Sequence, residues 1–105
     1  MITTEMNKLI RLLVEESVPF EVHPWVINGE ATFQIASPTK KDCIVDAVCH
    51  HFSYGGEAGL IEVMGSANPD HPNDDVVGWL TAEKALVYFL KEDPKPCWPY
   101  RAWTW

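Results

Sequence analysis

The side chains best suited to metal binding or nucleophilic attack are the three cysteines and four histidines: Cys43, Cys49, His50 and His51 close together, with His23, His71 and Cys97 elsewhere. A structural zinc site needs four such donors converging on one point. On a single strand Cys43 and Cys49 would stand about 20 Å apart at roughly 3.3 Å per residue, with His50 and His51 pointing to opposite faces, so the cluster closes no site locally. The same alternation separates Cys49 from His50 as nucleophile and base, and no third orienting group adjoins them. Glu57 and Glu62 are candidate carboxylates for acid–base work, but scattered carboxylates on a small domain are ordinarily solvated surface. Gly55-Gly56 with Gly59 lacks the lysine and the GxGxxG spacing of a phosphate-cradling loop and reads as a turn. The expectation is a protein without catalytic residues, cofactor or metal.

The balance of charge is more informative. Fifteen acidic against eight basic residues leave a net charge of −7 over 105 residues, which disfavours direct contact with a phosphate backbone. A composition 47% hydrophobic and 22% charged is too apolar for a disordered chain, and no apolar run reaches the roughly 18 residues of a membrane span. The length suits one domain spanning 1–105. An odd number of cysteines at irregular spacing, behind an acidic amphipathic N-terminus without a signal core, points to a reducing, cytoplasmic setting with free thiols.

The elements that would position these residues follow from periodicity and turn chemistry. Thr3 and Thr4 offer capping hydroxyls, and Met6, Leu9, Ile10 and Leu13 recur at three- and four-residue steps, which predicts a helix over 4–17 stopped before Pro19. Aromatic and β-branched residues from Phe20 to Ile27, then Asn28-Gly29, predict a hairpin with a type I′ turn and a return strand over 31–36. Pro24 lacks a ladder donor, so the first strand is expected at an edge or at a bulge. Residues 42–52 hold an apolar run compatible with a buried third strand. Leu60, Ile61, Val63 and Met64 suit a fourth strand or a short helix, which periodicity does not separate over so short a run; strand is the reading favoured here. After a short segment at 76–80, Thr81 caps a helix over 82–92 that carries Ala85, Leu86, Phe89 and Leu90 inward. The element order predicts an α+β fold: a small, mainly antiparallel sheet of 3–5 strands with an N-terminal and a C-terminal helix.

Two segments stand out as interaction surfaces. SANPDHPNDD (66–75) is turn chemistry with negative charge, so Asp70, Asp74 and Asp75 are expected on a surface loop. If the sheet brings Asp42, Asp46, Glu57 and Glu62 beside them, an acidic face results that would attract a basic, nucleic-acid-binding protein. The tail after Pro94 holds Trp98, Tyr100, Trp103 and Trp105 within nine residues. Such rings either pack back on the domain or dock on a partner, and a tail over 93–105 packed on the domain is the expectation.

The stretches HHFSYGGEAGLIEVMG (His50 to Gly65) and DDVVGWLTAEKAL (Asp74 to Leu86) resemble small proteins encoded by phages and mobile elements of gut Firmicutes. In size, acidity and lack of catalytic residues the chain is also similar to anti-CRISPR inhibitors of the type II RNA-guided nuclease. That resemblance implies a stoichiometric inhibitor in the cytoplasm of the bacterial host, whose partner is the CRISPR effector nuclease or its guide-RNA complex. Such a nuclease holds nucleic acid in positively charged channels. Asp70, Asp74, Asp75, Glu57 and Glu62 would then meet that surface, with Trp98 or Trp103 as a packed anchor. A phage accessory protein that binds another host protein is the alternative.

Overall fold

The computed structural model describes residues 4–65 and 76–90. Thr4–Glu15 forms helix α1, and Glu21–Ile27 (β1), Glu30–Ser37 (β2), Val45–Val48 (β3), Ile61–Met64 (β4) and Val76–Leu80 (β5) form one sheet. Ala82–Phe89 forms helix α2. The strands pair in chain order, β1-β2-β3-β4-β5, and every pair is antiparallel. This is the expected α+β fold with a helix before and a helix after the sheet. Of residues 60–64, Ile61–Met64 form a strand, with Ile61 and Val63 on one side of the sheet and Glu62 and Met64 on the other. Neither described helix is long and apolar enough to cross a membrane.

The β1–β2 hairpin forms where Asn28 and Gly29 adopt φ of 52° and 78°, the pair of positive angles that a two-residue turn between right-twisted strands requires. Ile27 faces Glu30 across that turn. Alternation of the ladder then directs the backbone polar groups of Ile27, Trp25 and His23 toward β2, and those of Val26, Pro24 and Val22 toward the open edge. Pro24 therefore sits where no ladder donor is needed, and it blunts the edge against pairing with another chain.

The two helices share one face of the sheet. Met6, Leu9 and Leu13 of α1 and Ala82, Ala85 and Phe89 of α2 pack with Ile35, Val45, Ala47, Cys49, Ile61, Val63 and Leu80 in a single apolar cluster. Each fully buried leucine contributes about 1.5–3 kcal/mol through removal of apolar surface from water. Contacts between the helices fix their ends. Glu5 Oε1 accepts the Ala82 backbone N–H at 2.8 Å, which places a carboxylate at the positive end of α2. Thr81 Oγ1 accepts the Lys84 N–H at 3.4 Å, and Lys8 pairs with Glu83.

Candidate functional site

Strand alternation puts Trp25, Thr32, Gln34, Ala36, Asp46, Val48, Glu62 and Met64 on the sheet face away from both helices. His50 follows at the end of β3, with its ring 6.1 Å from that of Trp25 in an edge-on contact. These side chains are not solvated. Gln34, Asp46, His50 and Glu62 are 1–2% exposed, and Ala36, Val48 and Met64 are buried as well. None of them belongs to the apolar cluster under the helices.

The polar groups of this second face, the Trp25 indole apart, are engaged. Gln34 Nε2 donates to Asp46 Oδ2 at 2.6 Å, and Thr32 Oγ1 donates to the Cys49 carbonyl at 2.7 Å. Glu62 Oε1 accepts the Tyr54 backbone N–H at 3.0 Å. His50 Nδ1 accepts the Phe52 N–H at 3.1 Å, so in the neutral ring the proton is on Nε2. The Trp25 indole N–H is buried with no hydrogen-bond partner among the described residues.

The loop from β3 to β4 is built on close backbone approach. A Cβ at Gly56 would lie 1.8 Å from the His50 carbonyl oxygen, and one at Gly78 would lie 2.2 Å from Tyr54 Cβ. Glycine at both positions lets the loop fold back on the segment that leaves β3 and lets β5 close on Tyr54. Opposite Glu62 the β5 strand bulges: Ile61 faces Leu80 and Val63 faces Val77, so Gly78 and Trp79 together meet one partner residue. The Trp79 N–H then donates to the Tyr54 carbonyl at 3.2 Å, and Trp79 takes φ of 60°. That left-handed conformation is unfavourable for a bulky residue. Trp79 is 65% exposed, and Tyr54 (61%) and Phe52 (66%) of the adjoining β3–β4 loop stand in solvent as well.

Against the sequence expectations, the structure divides the candidate acidic residues. Glu57 is exposed, with one carboxylate oxygen 3.6 Å from His51 Nε2. Glu62 is buried and held by Tyr54, so these two carboxylates do not share a surface. Asp42 is exposed while Asp46 is buried beside Gln34. The four residues flanking β3 and β4 therefore do not form one negative face. Asp70, Asp74, Asp75, Trp98 and Trp103 lie outside the described residues, as do the acidic loop and the aromatic tail.

His50 and His51 lie beyond β3, which ends at Val48 and not at the predicted 52, and one is buried while the other is exposed. Cys49 faces the helix-side core, where burial raises its thiol pKa above the ordinary value. Among the described residues no group of three or more His, Cys, Asp or Glu is arranged to hold a metal ion. Sequence reading missed Phe52, Tyr54 and Trp79 as exposed aromatic residues, although the Tyr54-Gly55-Gly56 and Gly78-Trp79 segments mark places where backbone approaches backbone.

No protein-family model, curated protein or solved structure matches the chain.

Proposed function

We propose that this protein acts by stoichiometric binding to another protein, with the corner formed by Phe52, Tyr54 and Trp79 as its principal contact. The observation that carries this reading is Trp79. A bulky side chain held at positive φ costs about 1–2 kcal/mol relative to ordinary backbone, and here the bulge that imposes the cost also sets an indole in water. Strained residues of this kind cluster at binding sites, and exposed Trp and Tyr rings are the side chains that most often dominate protein interfaces when a partner desolvates them.

The class of partner follows from charge and from the resemblance to phage-encoded inhibitors. A net charge of −7 favours a basic partner, and the type II RNA-guided nuclease presents such surfaces where it holds guide and target. In this reading the protein inhibits that nuclease by occupying a nucleic-acid-binding surface. Glu57 and the aspartates Asp70, Asp74 and Asp75 add electrostatic attraction, and no catalytic step is involved.

Titration into a guide-loaded type II nuclease, with target cleavage and association followed together at low and moderate salt, tests the proposal. The expected result is inhibition that saturates at a fixed molar ratio, with association weakened by salt. Trp79→Ala should weaken association at least tenfold while the circular dichroism spectrum stays that of the parent. Failure to associate with nucleases from several Firmicutes would overturn the choice of partner. Unchanged affinity of the Trp79→Ala protein for a nuclease that does bind would overturn the choice of surface.

A further inference from the structure

The pair that turns the β1–β2 hairpin is also suited to react with itself. A main-chain amide nitrogen can attack the side-chain carbonyl carbon of an asparagine that precedes it, and the attack is least hindered when the nitrogen belongs to glycine, which has no side chain to crowd it. Asn28 is the asparagine of this chain that precedes glycine; Asn7 precedes Lys8, Asn73 precedes Asp74, and Asn68 precedes Pro69, whose nitrogen has no proton to give. Asn28 and Gly29 are both exposed, and a Cβ built on Gly29 would meet no atom within 4 Å. The left-handed angles of the turn, φ of 52° and 78°, hold Asn28 away from the extended backbone that ring closure needs, so the reaction draws on the opened hairpin. That opening is local and inexpensive, because Val26, Asn28, Gly29 and Ala31 all stand in solvent at the tip and little burial is lost there.

We propose that Asn28 is a site of self-modification, at which the chain deamidates and passes to isoaspartate. The Gly29 nitrogen gives up its proton and bonds to Asn28 Cγ, the Cγ–Nδ2 bond breaks, and ammonia leaves carrying that proton, which closes a succinimide ring. Water then opens the ring. Cleavage between Cγ and the nitrogen restores the ordinary chain with aspartate at position 28. Cleavage between the main-chain carbonyl carbon and the nitrogen leaves the chain running through Cβ and Cγ, which is isoaspartate, with the former main-chain carbonyl now a free carboxylate. Both products add a negative charge, but the second also lengthens the backbone inside a two-residue turn. That turn sets the register in which Ile27 faces Glu30 and Trp25 faces Thr32. The Trp25 ring lies against that of His50, which accepts the Phe52 N–H, so isoaspartate at the tip loosens the hairpin toward the loop that carries Phe52. The inference is independent of the identity of any partner.

The test is ageing of the full-length protein in mildly alkaline buffer, followed by peptide mapping with mass spectrometry and by enzymatic methylation of isoaspartate. The expected result is the mass gain of an amide-to-acid change at Asn28, at least tenfold faster than at Asn7 or Asn73, with isoaspartate as the main product and a lower melting temperature for the fraction that carries it. Freshly prepared Asn28→Asp, which has the charge on an ordinary backbone, should melt close to the parent. Conversion at Asn28 no faster than at Asn7 or Asn73 would overturn the site. An intact Asn28 after a period in which the same chain, unfolded in urea, has converted fully would overturn it too, since the turn would then be locked. An isoaspartate fraction that melts with the parent, or Asn28→Asp protein that melts as low as that fraction, would overturn the lengthened backbone as the cause of a loosened hairpin.

Discussion

The two faces of the sheet are equally dry and are built from opposite chemistry. Under the helices, Ile35, Val45, Ala47, Ile61 and Val63 meet leucine, methionine and phenylalanine side chains, and the stabilisation is non-directional. On the far face, Gln34, Asp46, His50 and Glu62 are excluded from water to the same degree, but each is held by a directed hydrogen bond. The comparison teaches that the faces fail differently. The first loses stability in proportion to the volume removed, whereas the second loses it when one partner of a buried pair is taken away.

The largest effect should come from the first face. Leu9→Ala removes a fully buried side chain and is expected to destabilise by about 2–5 kcal/mol, read as a lower urea midpoint with an unchanged slope. A loss under about 1 kcal/mol would mean that α1 is not an integral wall of the core.

On the second face, Gln34→Leu keeps the bulk but removes the donor to Asp46 Oδ2, and should cost about 1–3 kcal/mol. Gln34→Glu sharpens the contrast, since it sets a second carboxylate against Asp46. Two acids so close cannot both ionise freely, so one folded-state pKa rises. A carboxylate with a raised folded pKa loses stability as pH rises above its unfolded value. The Gln34→Glu protein should therefore fall further below the parent between about pH 4 and 7. Parallel curves for the two proteins would remove the claim that this face is desolvated.

Smaller effects belong to the helix ends. Glu5→Ala removes the acceptor at the Ala82 N–H and should cost about 0.5–2 kcal/mol, while Glu5→Gln, which keeps an acceptor and loses the charge, should cost about 0.3–1 kcal/mol. The smallest effect is at the exposed Lys8–Glu83 pair. Its hydrogen bond to Lys8 holds the Glu83 carboxyl below the ordinary value, and the same bond raises Lys8. Glu83's contribution is thus present above the ordinary carboxylate range and lost as pH falls through its lowered folded value. That of Lys8 is present below the ordinary lysine range and lost as pH rises through its raised folded value. Lys8→Met should return the Glu83 titration toward normal in an NMR pH series, with almost no change in melting temperature.

Much of this architecture is legible in the sequence because its signals are local. Asn28-Gly29 sets a turn whose angles few other dipeptides tolerate, Pro19 and Thr81 bound the helices, and Pro24 announces an edge. The extents differ at the ends, with α1 closing at Glu15 and α2 at Phe89, short of the predicted 17 and 92, since propensity is weak in a terminal turn. The site was less legible. Gln34, Asp46 and Glu62 alternate with apolar residues, and in sequence that pattern is indistinguishable from a solvated strand face. Nothing local marks them as buried, because burial depends on what lies over the sheet.

The order and type of the elements, the turn, the edge strand and the acidic balance are properties of neighbouring residues and of composition, so the chain itself determined them. Tertiary structure alone decided that Glu5 would meet the start of α2, that Glu57 and Glu62 would part, and that Trp79 would stand in solvent at positive φ. Each of these depends on groups distant in the chain arriving at one place. Their energies come from desolvation and backbone contact, which exist only once the sheet and helices have packed.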